Sequence, residues 1–274
     1  MRKFVPIIAA LALAGPVQAD HHGGKGAEMA STADAVLAHA RRDGDRDRDQ
    51  FRHPAETLAF FKVKPGMTVI DYMPSSGWYT RILVPMLGKG GHYIGLNPAV
   101  GAGASEGLRN YMGGLKDKFP PKAAEWKLEG AKIEAFNTDE LGEDRNGTVD
   151  RVLIFREMHN LHRNGFLHSE LKRLHELLKA GGKLGIVQHR AKAWAPASYT
   201  DGSKGYMRQQ DVIGLVEAHG FDLVATSEIN ANPRDSADWE GGVWELPPVK
   251  RTKREELDAV GESDRMTLLF RKRD

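Results

Sequence analysis

Three histidines stand where chemistry could be done. His159, with Asn160 beside it, follows the short and nearly continuous apolar run Val149–Phe155, and His162 lies three residues further on. His189 follows a second such run, Lys183–Val187. A neutral imidazole can accept a proton from an attacking hydroxyl or amine. Runs of this kind read as strands buried on both faces, and an open α/β sheet presents ligand-handling groups just past its strand ends. His159 and Asn160 are therefore the expected catalytic pair, with His189 facing His159 across one cleft. His168 and His175 fall on a leucine-striped segment (Leu167, Leu171, Leu174, Leu178) and are expected to face solvent. No His-Glu-x-x-His or comparable spacing occurs, which argues against a catalytic metal.

A second constellation begins at Thr68. The β-rich run Thr68-Val69-Ile70 reaches Asp71 and then breaks at Met73-Pro74-Ser75-Ser76-Gly77. An amphipathic stretch follows (Tyr79, Ile82, Leu83, Met86, Leu87), then Gly88, Gly90 and Gly91, then His92-Tyr93-Ile94-Gly95. That order is strand, tight turn, helix, helix stop, parallel strand. Such a unit seats a ligand over the end of its first strand, against the amides that open the helix. Asp71 and Gly77 are expected at that ligand, while Trp78 and Tyr79 serve equally well as helix packing or as contacts to it.

The remaining elements must hold these two constellations together. Pro54 to Phe61 reads as a helix burying Leu58, Phe60 and Phe61, turned into the first strand by Lys64-Pro65-Gly66-Met67. A helix is expected within Gly107–Phe119, a strand at Ala131–Phe136, and a helix over Leu167–Leu178 that stops at Lys179-Ala180-Gly181-Gly182. Met207–His219 reads as one more helix, and Phe221–Ile229 and Met266–Arg271 as the last strands. Seven strands interleaved with helices predict an α/β three-layer sandwich with a mostly parallel sheet. The connection 230–265 is long for its place and carries Trp239 and Trp244, so it is read as a flap over the cleft, with Lys250 to Arg254 exposed.

At the N-terminus, Met1-Arg2-Lys3, the apolar Phe4–Gly15 and Pro16-Val17-Gln18-Ala19 form the pattern of a cleaved export signal, residues 1–19. This predicts a periplasmic or secreted bacterial protein with no membrane-spanning segment in the mature chain. Cleavage after Ala19 would expose Asp20-His21-His22, whose amine, two amides and third-residue imidazole suit square-planar Cu(II) or Ni(II); His21 and His22 are the candidate metal residues. Residues 20–50 read as a His/Gly-rich and charged extension before a folded domain, 51–274. With no cysteine, disulfides, thiolate nucleophiles and cysteine metal sites are excluded. The formal charge is +2, and Arg41–Asp49 alternates signs, so no phosphate-tracking patch and no nucleic-acid partner is indicated.

Taken in this order, residues 51–272 resemble class I S-adenosylmethionine-dependent methyltransferases. The resemblance rests on Lys64-Pro65-Gly66-Met67-Thr68-Val69-Ile70-Asp71, on Leu178-Lys179-Ala180-Gly181-Gly182, and on the closing strand pair. More narrowly the chain is similar to a group of exported predicted methyltransferases. These share Gly77-Trp78-Tyr79-Thr80, a His-Asp or His-Asn pair after the fourth strand, a His after the fifth, and an Asn-Pro before the closing Asp264–Lys272. The resemblance implies S-adenosylmethionine as cofactor and a small-molecule methyl acceptor. It places Asp71, Met73, Ser75 and Gly77 in the cofactor loop, Asn97 at the ribose and Asp139 at the adenine. The family loop reads Asp/Glu-x-Gly-x-Gly-x-Gly, so Met73 and Ser75 replace two glycines and Asn97 replaces an acid; weakened cofactor binding is the expectation. Two other readings stand beside methyl transfer: a degenerate relative that binds a ligand without catalysis, and a periplasmic metal-handling protein.

Overall fold

The computed structural model describes residues 33–274. The export signal, His21 and His22 therefore lie outside the described residues. The described chain opens with α1 (33–38) and α2 (Asp49–Arg52). Pro54 occupies the first turn of α3 (Pro54–Phe60), where its missing N–H costs nothing. Leu58 and Phe61 are buried as expected, whereas Phe60 is only half-buried.

The central unit is β1 (Thr68–Tyr72), α4 (Thr80–Leu87), which stops at Gly88, and β2 (His92–Asn97). Where one helix was expected over 107–119 there are two, α5 (Glu106–Met112) and α6 (Leu115–Glu125). Gly113-Gly114 parts them, Gly114 taking φ +67°, a conformation a glycine adopts without steric penalty. The chain continues through β3 (Lys132–Asn137), β4 (Val149–Phe155), α7 (Met158–Arg163), α8 (Leu167–Leu177) and β5 (Leu178–Ala191). After α9 (Ala197–Thr200), residues 207–208 do not start the expected helix. They form a short strand, β6 (Met207–Arg208), paired to Arg190–Ala191, and α10 (Gln209–Glu217) follows. β7 (Phe221–Ser227) and β8 (Arg265–Lys272) close the sheet.

The strand order is β3-β2-β1-β4-β5-β8-β7, with β6 attached to β5, so the sheet has eight strands rather than seven. β1 to β5 pair in parallel and β8 runs antiparallel between β5 and β7. Each face of the sheet carries its own core. On one, Leu171, Leu174 and Leu177 of α8 pack with Val212 and Val216 of α10 against Ile70, Val152 and Ile186. On the other, Leu58, Ile82, Leu83 and Phe119 pack against Val69, Tyr93 and Leu153. Burying each such side chain contributes about 1.5–3 kcal/mol, which is why the apolar stripes, rather than local propensity, decide the layering. The break that matters lies between β1 and β4: the chain leaves β1 towards β2 on one side and returns through β4 on the other, opening a crevice at the strand ends.

The charged run before Phe51 is packed against this core. Arg42 is fully buried and clasps Asp49 through two bonds of 2.7–2.8 Å. Arg81 grips Asp45 likewise, and the Trp78 ring lies between the guanidiniums of Arg42 (5.1 Å) and Arg52 (4.8 Å).

Candidate active site

Two cavities of about 300 and 310 Å³ flank the turn after β1, and Met73, Ser75, Ser76 and Tyr111 line both. Each is large enough for a small organic ligand. The first reaches from Asp71 past the end of β4 to His189 and the connection before β8; the second lies over the end of β2, at Asn97, Leu115 and Phe119.

The turn keeps a glycine-like backbone although two of its glycines are replaced. Met73, Ser75 and Gly77 have φ of +55°, +51° and +75°, the left-handed conformation that glycine normally supplies. Met73 keeps it while its side chain is buried beside Ile94, Leu96 and Met112, and its N–H reaches Leu96 O at 2.7 Å. The backbone path of the loop is thus kept without two of its glycines, at a cost in strain. Gly77 has no such freedom: a Cβ there would sit 2.0 Å from the Trp126 ring.

Asp71 is buried and accepts a 2.8 Å hydrogen bond from Tyr93, whose hydroxyl also meets Thr80 at 2.7 Å. Burial raises its pKa to about 7 against these bonds and the nearby Arg156. A carboxyl raised in this way contributes stability fully below pH ~4, and that contribution is lost as pH rises through ~7. Asp71→Asn should therefore flatten the fall in stability between pH 5 and 8, a gain over the parent of about 2–4 kcal/mol across that interval. Urea midpoints of both proteins at the two pH values check this; parallel pH dependence would refute it.

Asn97 lines the second cavity and donates its Nδ2 to Met112 O at 2.8 Å, which leaves Oδ1 as the acceptor it can offer. Asp139, after β3, is exposed and lines neither cavity, so the structure does not bring it to the other cofactor candidates.

At the far side, α7 starts three residues beyond β4 and buries His159 and Asn160. The His159 and His189 rings are 5.6 Å apart, facing one cavity as their strand-end positions predict. His159 Nδ1 lies 3.4 Å from the Gln188 amide, and burial pulls its pKa down to about 4. His189 Nδ1 lies 2.6 Å from Ser263 Oγ, and burial holds it well below the usual range. Both imidazoles are neutral near pH 7 and weakly basic. His162 is exposed and outside the cavity. Of the two helix histidines, His168 is exposed as expected, but His175 is half-buried against Phe221.

Glu157, which the sequence reasoning passed over, is better matched to proton transfer. It lines the cavity, takes a 2.6 Å bond from Asn160 Nδ2, and has its pKa raised by burial to about 7. Asn160 Oδ1 is buried with no partner. The signal was an acid two residues past the end of β4. Arg52, Arg156 and Glu262 were missed because chain segments far apart in sequence assemble them. The 230–265 connection contributes Val243, Trp244 and Pro247 to the cavity wall. Among the described residues, no three His, Cys, Asp or Glu side chains converge as metal ligands would, and no helix is long and apolar enough to cross a membrane.

No protein-family model matches the chain, and no curated protein matches it. Solved structures do. A SAM-dependent methyltransferase from Aquifex aeolicus superposes with a TM-score of 0.52 at 18% identity, over 83% of this chain and 94% of that one. The 1,6-didemethyltoxoflavin-N1-methyltransferase of Burkholderia thailandensis, solved with that substrate and S-adenosylhomocysteine, gives 0.50 at 17% identity over 94% of both chains. The [4+2]-cyclase SpnF gives 0.54 at 12% identity over 81% and 80%. The chain has the Rossmann-like methyltransferase fold. The cyclase shows that this fold also serves other reactions, so function has to be argued from the site.

Proposed function

We propose that the protein transfers a methyl group from S-adenosylmethionine to a small molecule held in the first cavity. The observation that carries this reading is the left-handed backbone at Met73, Ser75 and Gly77, placed at the β1/β4 crevice between two ligand-sized cavities. The residues present fit the donor: the 73–77 turn offers its backbone, Asp71 closes the floor, and Asn97 Oδ1 can accept from a hydroxyl. When bound, S-adenosylmethionine supplies an electrophilic methyl group.

The chain's own residues do the rest. Asn160 Oδ1, buried and without a partner, is ready to accept a hydrogen bond from the acceptor's N–H or O–H. The Glu157 carboxylate, 2.6 Å from the same amide, takes the proton released when the new bond forms. Neutral His159 and His189 orient the acceptor, and Trp244 and Tyr111 wall it from water. A second reading, ligand binding without catalysis, is favoured by Met73 standing at both cavities in place of a glycine. Incubating the protein with methyl-labelled S-adenosylmethionine and a library of small molecules separates the two. Label should move to at least one acceptor, and cofactor binding with no transfer to any would favour the second.

In this reading the enzyme is one of the exported group that its Gly77-Trp78-Tyr79-Thr80 and His159-Asn160 motifs resemble. Its export is supported by the basic, apolar and small-residue order of residues 1–19. Mass spectrometry of protein made in a bacterial host should find a chain beginning at Asp20 outside the cytoplasm; an intact Met1 chain inside it would contradict export.

A further inference from the structure

Arg156 is the one residue of β4's exit that the function above leaves without work. It stands at the strand end in the left-handed conformation, φ +64°, which is unusual for a side chain of its size. Its backbone N–H is satisfied by Val187 O at 2.6 Å. Its half-buried guanidinium lines the first cavity and makes no hydrogen bond or ion pair with any described residue; the charges of Glu262, Asp71 and Glu157 act on it only at longer range. Leaving a partly buried guanidinium unpaired is costly in a resting protein and useful in one that awaits an anion.

The surroundings repeat the pattern. Arg48 and Arg52 also line the cavity, and both bond Glu262, at 2.8 Å and at 3.1–3.2 Å. Arg265 bonds the same carboxylate at 2.9 Å. Three guanidiniums thus share one acid. Arg52 is buried, and its Nη1 has no partner. The other two acids of the cavity are engaged elsewhere, Asp71 by the Tyr93 hydroxyl and Glu157 by the Asn160 amide. Arg156 and Arg52 Nη1 thus keep donors that the cavity's acids do not take up. Part of the cavity's remaining wall is apolar, formed by Tyr79, Phe155, Val243, Trp244 and Pro247, alongside the polar Ser75, Ser76, His159, Asn160 and His189. Tyr79 lies flat on Phe155, with ring centroids 3.4 Å apart, which adds a stacked aromatic pair to the wall.

We infer that the methyl acceptor is a carboxylate-bearing aromatic or similarly flat apolar molecule, whose carboxylate is received by Arg156 with Arg52 beside it. This rests on the methyl-transfer reading for the word acceptor, but the anion site itself does not depend on the cofactor. Arg156 is a specificity residue here: it selects the charge of the ligand and takes no part in the proton transfer.

The test uses phenylacetate and its neutral isostere phenylacetamide as probes, titrated into the mature protein without cofactor and followed by tryptophan fluorescence and saturation-transfer NMR. Phenylacetate should bind about ten-fold or more tighter than the amide, the scale of one charge-assisted bidentate contact. Arg156→Gln should erase the difference, and Arg156→Lys should keep part of it, since the charge remains but the fork is lost. Equal binding of the two probes by the natural protein overturns the inference whatever the variants do, as does a preference that survives Arg156→Gln in folded protein. S-adenosylhomocysteine is titrated in parallel. An Arg156-dependent carboxylate preference without S-adenosylhomocysteine binding would sink methyl transfer and leave the anion site standing. Tight S-adenosylhomocysteine binding with no preference would do the reverse.

Discussion

Glu157→Gln should lower methyl transfer by about 10²–10⁴-fold, the range a positioned general base contributes. The substitution keeps the size of the side chain and its contact with Asn160 Nδ2 through the remaining oxygen, so the fold should be undisturbed. What it removes is an acid whose pKa is raised by burial to about 7, near working pH, and which, unlike the similarly raised Asp71, is bonded to the amide carrying an unpartnered hydrogen-bond acceptor. The sign of the pH dependence follows: the base must be ionised, so the natural enzyme's rate should climb as pH passes ~7 and level above it. Glu157→Gln should remove that rise along with the rate. His159→Ala should cost less, because an imidazole pulled down to about 4 holds a proton weakly at pH 7. If His159→Ala proves the more damaging and Glu157→Gln leaves the pH profile unchanged, the base has been misassigned.

Asp235→Ala should destabilise the protein by about 3 kcal/mol or more. This residue anchors the connection that walls the first cavity. It is fully buried and accepts four bonds of 2.8–2.9 Å: from Ala237 N and Trp239 Nε1 on one oxygen, from Tyr206 OH and Asp264 N on the other. Alanine would orphan four donors at once, and a buried donor without a partner costs more than the bond it made. Asp235→Asn keeps one carbonyl oxygen and should cost roughly half as much. Denaturant midpoints measure both. The loss should also loosen probe binding in the cavity, because Trp244 and Val243 belong to the same connection. A change below about 0.5 kcal/mol would show that the connection packs without this hub.

The fold was legible because its evidence is periodic and local. The apolar runs at Thr68, Val149 and Lys183, the leucine stripe of α8 and the glycine stop after α4 act within their own segments, whereas the expected stop at Lys179–Gly182 lies inside β5, which begins at Leu178 directly after α8. Where local reading failed, a pair of residues decided. Gly113-Gly114 split one expected helix, and Met207-Arg208 was taken from the next by pairing with Arg190–Ala191. The site was half legible. His159, Asn160, His189, Asp71, Met73 and Ser75 meet at the cavities because strand ends in this topology converge. The arginine side was hidden, since Arg52, Arg156 and Glu262 come from three distant segments and Arg41–Asp49 cancels its charge on paper. Residue type did not reveal the backbone at Met73 and Ser75: two glycines are replaced there, yet positive φ is kept at both.

Calorimetry with S-adenosylhomocysteine tests most directly whether the retained backbone at Met73 and Ser75 still holds the methyl donor. The natural protein should bind with a Kd of about 10–300 μM, weaker than an all-glycine loop with an acid after β2 would allow by the one or two contacts that Met73 and Asn97 fail to make. A Met73→Gly/Ser75→Gly variant should bind no more than about ten-fold tighter, because the backbone it would relax is already in place. Absence of binding by the natural protein, with its fold intact by circular dichroism, would contradict the account, whether or not the glycine variant binds.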